Sequence, residues 1–131
     1  MENLIIEATK CTPSVKFDAA HHTLGISGES YPENISEFYD PVFDWLKRYL
    51  GGLPEHQSVT ANIDIIYFNS NTSKVLTDFF RMLEKSAAQG RQVVVNWCYD
   101  KENDIALEHG KDFREDAVAL EFNLVQTSGR I

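Results

Sequence analysis

The residues with the clearest chemical potential form a short polar turn that is rich in hydroxyl groups. The segment Tyr67-Phe68-Asn69-Ser70-Asn71-Thr72-Ser73-Lys74 separates a dense apolar stretch from a helical pattern, which predicts a turn from a strand into a helix. Any of Ser70, Asn71, Thr72 and Ser73 could cap that helix by accepting a hydrogen bond from its first backbone amides. Because a helix N-terminus also tolerates a phosphate, capping and phosphorylation are compatible at this turn.

Closely spaced carboxylates further along the chain do not complete a metal site. Asp100, Glu102 and Asp104 lie two residues apart, as at the start of a calcium-binding EF-hand loop. That loop requires glycine at its sixth position and glutamate at its twelfth, where this chain has Ile105 and Lys111. We therefore expect a solvated helix start, where acidic side chains suit the positive end of the helix dipole.

Histidines and nucleophile motifs give no sign of catalysis. No two of the four histidines have the i, i+4 spacing of a helical metal site, and His21 and His22 are adjacent in a predicted turn. The sequence contains neither a glycine-rich phosphate loop nor a G-x-S-x-G nucleophile motif. We predict no catalytic residue, no metal site and no cofactor, and hence a protein that is not an enzyme.

Length and composition limit the classes of protein that remain. The chain has 131 residues and is 43% hydrophobic, so we expect residues 1–131 to form one domain around one core. Its formal charge of -8 opposes nucleic-acid binding, because the phosphate backbone is also negative. We find no secretory signal and no apolar run of the ~18 residues that would cross a membrane. We expect a cytoplasmic protein with reduced cysteines, and with Cys98 in the core.

Hydrophobic periodicity predicts strands first and then an amphipathic helix. Short runs at residues 3–8, 14–18 and 22–27 have the spacing of strands joined as hairpins. Residues 34–50 change to a helical period, with one apolar face formed by Ile35, Phe38, Val42, Trp45, Leu46 and Tyr49. Asn34 followed by Glu37 fits a capping pair at the start of this helix, but Pro41 would break an interior turn, so we expect either a kink there or a second, late start capped by Asp40.

The second half of the chain alternates strands and helices. Residues 58–68 predict a central strand, residues 76–87 a second helix, and residues 93–97 a strand that is apolar on both faces. We expect helices to cover both faces of that strand. A polar third helix near 102–116 and a last strand near 121–126 complete the order β, β, β, α, β, α, β, α, β. This order predicts a layered α/β domain with a mixed sheet.

Four motifs are spread over most of the chain. They are Ala8-Thr9 to Thr12-Pro13, Gly28-Glu29-Ser30-Tyr31-Pro32-Glu33-Asn34, Tyr67-x-Asn69-Ser70 through Lys74, and Val95-Asn96-Trp97-Cys98-Tyr99-Asp100. In order and spacing they resemble the SiaC family of bacterial regulatory phosphoproteins. The resemblance implies a fold similar to the STAS domains of anti-sigma factor antagonists. It also implies phosphorylation of the hydroxyl residue that follows Tyr-x-Asn, which is Ser70, with Thr72 and Ser73 as alternatives.

The resemblance further implies a circuit of partner switching. A serine/threonine kinase would phosphorylate Ser70, a serine/threonine phosphatase would remove the phosphate, and the unphosphorylated protein would activate a diguanylate cyclase and so favour biofilm formation. The alternatives are an anti-sigma factor antagonist that binds a kinase-type anti-sigma factor, and a small ligand-binding protein. We expect the partner surface to comprise Tyr31, Glu33, Asn34, Asn69, Ser70 and Asn71.

Overall fold

The computed structural model describes residues 1–128, which form six strands and three helices in the predicted order. The elements are β1 (Leu4–Ile6), β2 (Ser14–Asp18), β3 (Thr23–Ser30), α1 (Ile35–Gly51), β4 (Ser58–Phe68), α2 (Ser70–Ala88), β5 (Gln92–Asp100), α3 (Asp104–Glu115) and β6 (Glu121–Thr127). The predicted α/β class with a mixed sheet and three helices is confirmed.

The six strands form one sheet in sequential order from β1 to β6. The first three strands pair antiparallel as hairpins, whereas β3, β4, β5 and β6 run parallel and are joined by the three helices. Because parallel strands end at the same edge of a sheet, the three helices all begin at that edge. We call this edge the carboxyl edge of the sheet.

The core lies between the sheet and the three helices. Phe17 of β2 packs against Trp45 of α1 and Phe79 of α2, with ring centroids 5.2 and 6.2 Å apart. On the same face of the sheet, Trp97 of β5 packs against Phe113 of α3 at 5.3 Å. Phe17 and Trp97 are fully buried, so one face of the sheet is covered by all three helices.

The opposite face of the sheet is open and polar. Asn62, Asn96 and Asn123 lie in register on β4, β5 and β6, and their side-chain amides form a ladder with hydrogen bonds of 3.0 and 3.1 Å. Val94 and Cys98 lie on this face and are half-buried, so the predictions of helices on both faces of β5 and of a core Cys98 are wrong. The crossovers all advance in one direction, and right-handed crossovers of that kind place their helices on one face.

Helix α1 begins early and continues through its proline. The Asn34 side chain caps it by accepting a hydrogen bond from the Glu37 amide at 3.1 Å, which confirms the predicted cap at Asn34, whereas the alternative of a late start after Asp40 is wrong. Pro41 lies inside the helix and removes one backbone hydrogen bond. The buried face of the helix, which includes Trp45, offsets that cost of roughly 3 kcal/mol.

Candidate functional site

The carboxyl edge of the sheet gathers three helix starts of the same design. Asn34, Asn69 and Asn103 precede α1, α2 and α3, and each side chain accepts a hydrogen bond from the amide three residues later, at 3.1, 3.0 and 3.0 Å. Asparagine suits this position because its short side chain reaches the unpaired amides of the first helical turn. The polar turns that the sequence singles out are therefore neighbours in the fold.

Ser70 is the first residue of α2 and is exposed to solvent. The residue that caps this helix is Asn69, so the prediction that Ser70, Asn71, Thr72 or Ser73 is the cap is wrong. Asn69 takes this position because it still has an extended backbone, with φ of -90° and ψ of 177°. The Ser70 hydroxyl makes no hydrogen bond to another residue within 1–128, which leaves it accessible for modification.

The turn that carries Ser70 is fixed to the end of β3. The Asn69 amide donates a hydrogen bond to the Ser30 carbonyl at 3.2 Å, and the Thr72 hydroxyl donates to the same oxygen at 3.0 Å. The Ser73 amide then donates to the Asn69 carbonyl at 3.0 Å and continues the first turn of the helix. These bonds hold Ser70 on a rigid support.

Three buried hydroxyl groups form a network beneath this turn. The Ser30 hydroxyl lies 2.7 Å from that of Tyr39 and 2.9 Å from that of Thr72. The Thr72 hydroxyl donates its only proton to the Ser30 carbonyl, so it can only accept from the Ser30 hydroxyl. The Ser30 hydroxyl therefore donates to Thr72 and accepts a hydrogen bond from the Tyr39 hydroxyl. Burial raises the pKa of the Tyr39 phenol to about 12. Tyr39 therefore remains a neutral donor at physiological pH.

The three hydroxyl residues proposed for phosphorylation differ in their burial and in their hydrogen bonds. Thr72 has 0% of its surface exposed and would have to leave the core to reach a kinase. Ser73 is half-buried, and its carbonyl accepts a hydrogen bond from the Thr77 hydroxyl at 3.0 Å. Ser70 alone among the three is exposed. Sequence reasoning missed the network because Ser30 and Thr72 are 42 residues apart.

The residues expected to bind partners lie on two adjacent helix starts. Glu33 and Asn71 are exposed, whereas the side chains of Asn34 and Asn69 serve as caps. Tyr31 is half-buried, and its ring meets that of Tyr67 edge to face at 5.8 Å. The structure therefore brings the predicted residues together, but it gives two of them a clear role in the fold.

The first and last motifs reach the same edge. The Tyr31 amide donates a hydrogen bond to the Cys11 carbonyl at 2.8 Å, which attaches the loop between β1 and β2. The last motif ends at Asp100, whose carbonyl accepts a hydrogen bond from the Asn103 amide at 2.9 Å. The Asn103 side-chain amide in turn donates to the Ile66 carbonyl at 3.1 Å, which attaches the start of α3 to β4. The carboxyl edge of the sheet is therefore a continuous surface built by all four motifs.

The described part of the chain offers no group of metal-binding side chains and no helix that could span a membrane. Within residues 1–128, no three side chains of the His, Cys, Asp and Glu types come close enough to hold an ion. None of the three helices is long and apolar enough to span a bilayer.

Comparisons with known proteins agree with this architecture. The family model for SiaC family regulatory phosphoproteins matches residues 6–127. An uncharacterised protein of Pseudomonas aeruginosa strain UCBPP-PA14 is 33% identical over 116 residues, which are 88% of this chain and 90% of that protein. The structure of SiaC of Pseudomonas aeruginosa matches with a TM-score of 0.85 and 29% identity over 98% of this chain and 100% of that one.

A third match comes from a complex. A chain in the crystal structure of the diguanylate cyclase SiaD in complex with its activator SiaC, also from Pseudomonas aeruginosa, has a TM-score of 0.84 and 30% identity. The match covers 96% of this chain and 99% of that chain. The resemblance that the four motifs indicate is thus confirmed over nearly the whole length. This chain belongs to the SiaC family of regulatory phosphoproteins.

Proposed function

We propose that this chain is a single-domain, non-catalytic regulator that switches partners according to the phosphorylation of Ser70. With Ser70 unmodified, it binds and activates a diguanylate cyclase, and a phosphate on Ser70 blocks that binding. The relative in complex with SiaD is described as an activator of that cyclase, which supports the choice of partner. A serine/threonine kinase and a serine/threonine phosphatase in the cytoplasm set the phosphorylation state.

The observation that carries this proposal is the position of the Ser70 hydroxyl. It is exposed at the start of α2 on a turn that β3 holds in place, while the neighbouring Thr72 is buried. A kinase can reach Ser70 without unfolding the helix. A modification there changes the surface and leaves the core contacts intact.

The first turn of α2 is suited to an added phosphate. Helices α1 and α3 carry Glu37 and Asp104 in their first turns, whereas α2 has no acidic residue there. A phosphate on Ser70 adds about -1.5 to -2 charges at the positive end of the helix dipole, so the fold is expected to persist. Lys74, one turn further along α2, adds a positive charge to the same region.

The same phosphate opposes docking of a partner that covers Ser70. A dianion must lose water when the partner covers it, and this costs several kcal/mol unless a basic group receives it. A loss of about 2.7 kcal/mol from the complex corresponds to roughly a hundredfold in affinity, which is enough for a switch.

The proposal is tested by measuring cyclase activity with variants of the regulator. The host's SiaD-like diguanylate cyclase is assayed for cyclic di-GMP synthesis with the wild-type protein, Ser70→Ala and Ser70→Asp. We expect Ser70→Ala to activate even after incubation with the kinase, and Ser70→Asp to activate poorly. Ser73→Ala is the matched control, and it should lose activation after kinase treatment as the wild type does.

Two results would contradict the proposed switch at Ser70 and its proposed partner. One is that kinase treatment still abolishes activation of the cyclase by Ser70→Ala but no longer abolishes activation by Ser73→Ala. The other is the absence of any effect on the cyclase combined with tight binding to a kinase-type anti-sigma factor. The second result would favour an anti-sigma factor antagonist. Turnover of a nucleotide or phosphoester by the purified protein alone would contradict its non-catalytic character.

A further inference from the structure

Three exposed apolar side chains lie together at the carboxyl edge of the sheet. Ile66, Tyr67 and Ile105 expose 49%, 53% and 72% of their surfaces, although they lie on two different elements. They line one shallow groove together with Phe68, Ala106 and His109. Single exposed apolar residues are common on proteins, but a contiguous group marks an interaction surface.

This group continues across the sheet toward the start of α1. The Tyr67 ring contacts Tyr31 edge to face, and Tyr31 follows directly after β3. The apolar strip thus runs from Tyr31 past Tyr67 and Ile66 to Ile105, over the ends of β3 and β4 and the start of α3. With strands about 4.8 Å apart, it extends over roughly 10 Å of the edge. Ser70 adjoins the middle of the strip, because α2 begins two residues after β4 ends.

Charged residues flank the strip on both sides. Glu33 and Glu37 are exposed at the start of α1, and Glu102 and Asp104 are exposed at the start of α3. The middle, around Ser70 and its neighbour Asn71, has no acidic residue in the first turn of α2, and Lys74 lies one turn further along that helix. At the start of α3, Lys101 lies among Asp100, Glu102 and Asp104, so that flank keeps an acidic excess.

We infer that this strip, from Tyr31 to Ile105, is the surface that receives the cyclase, through a partner surface that is apolar in its centre and basic on both sides. The inference rests on the proposed function and deepens it by naming the docking surface and the chemistry of its occupant. Opposite charges at the flanks orient the partner and speed its association, while the apolar centre excludes water.

This arrangement explains how a phosphate can repel a partner with basic residues. The basic groups of the partner are already matched by the acidic flanks, and its apolar centre faces Tyr67 and Ser70. A phosphate on Ser70 would therefore be covered by apolar groups and not by basic ones. That is the situation in which its desolvation is costly.

The experiment compares two substitutions of the same type at exposed isoleucines. Ile105→Glu places a charge in the strip, at the second position of α3, where an acidic residue suits the helix dipole and should not disturb folding. Ile5→Glu is the matched control, because Ile5 is 57% exposed, lies on β1 at the far end of the sheet and is paired with Lys16. Ile105→Ala is a second variant, which shortens the side chain without adding charge.

The readout is calorimetric binding of each unphosphorylated variant to the host's SiaD-like cyclase at low and high salt. We expect Ile105→Glu to bind at least tenfold more weakly, Ile105→Ala severalfold more weakly, and Ile5→Glu as the wild type does. Wild-type affinity should fall with added salt, and Glu102→Lys should reduce both affinity and salt dependence.

The experiment distinguishes failure of the docking surface from failure of the proposed function. If the wild type binds the cyclase and Ile105→Glu binds equally well, the docking surface is wrong while the proposed function stands. If the wild type does not bind the cyclase, both are overturned.

Discussion

Replacing Thr72 by valine should reveal that this hydroxyl stabilises the fold and is not the modified group. Valine keeps the branched shape of threonine but removes the donor to the Ser30 carbonyl and the acceptor for the Ser30 hydroxyl. Both groups lie in the core, where Ser30 and Thr72 have 0% of their surfaces exposed. Ser30 is then left with a buried donor that water cannot reach.

The size of the effect follows from that unsatisfied group. A buried polar group without a partner costs about 1–3 kcal/mol in the free energy of unfolding. With an unfolding entropy of about 2.1 cal/mol/K per residue, a chain of 131 residues should lose roughly 4–11 °C in Tm. The exposed Ser70 hydroxyl makes no hydrogen bond within the described residues, so Ser70→Ala should shift Tm by less than about 2 °C.

The assay is differential scanning calorimetry of the wild type, Thr72→Val and Ser70→Ala at equal concentration and pH. It is combined with mass spectrometry after kinase treatment, in which Thr72→Val should still take up one phosphate and Ser70→Ala should take up none. A Tm for Thr72→Val within 1 °C of the wild type would refute the role of the hydroxyl network, as would phosphate on Thr72 in the folded wild type.

Three further substitutions test other contacts. Glu84 accepts hydrogen bonds from the backbone amides of residues 118–120; its burial would raise its pKa, but these bonds lower it below 4.5 overall. Its charge therefore adds stability that is present above pH 4.5 and lost as the pH falls. Glu84→Gln should lower the free energy of unfolding in urea by about 1–2 kcal/mol at pH 7. The difference between Glu84→Gln and the wild type should shrink in acid. Gly110→Ala should cost about 1–3 kcal/mol in the same assay, because its new Cβ would overlap the Trp97 ring. Asn69→Ala should lower the free energy of unfolding by about 1 kcal/mol through the lost cap of α2, measured by thermal unfolding.

Much of the fold follows from periodicity in the sequence. Apolar spacing of two predicts the strands, and spacing near 3.6 predicts the three helices, which the structure confirms to within a few residues at most ends. The prediction that helices cover both faces of β5 is wrong. Val94 suggests a second apolar face in the sequence, but its neighbours in register across the sheet are polar. A short apolar run cannot distinguish these cases, since the direction of each crossover decides which face the helices cover.

The candidate site is less accessible to sequence reasoning. The turn around Ser70 can be recognised because hydroxyl residues follow an apolar strand, but which residue caps the helix depends on where the backbone leaves its extended form. The burial of Thr72 depends on contacts with Ser30 and Tyr39, which come from distant elements. The apolar strip is also formed across elements, because Ile105 joins Ile66 and Tyr67 only after α3 packs beside β4.

The central claim is that a phosphate on Ser70 controls partner binding, and calorimetry with two defined forms of the protein tests it most directly. Protein phosphorylated only on Ser70, verified by mass spectrometry, and its unphosphorylated form are titrated separately into the host's SiaD-like diguanylate cyclase. The account predicts that both forms are equally folded by circular dichroism, and that the phosphorylated form binds about a hundredfold more weakly or not at all. Equal affinities of the two forms would contradict it.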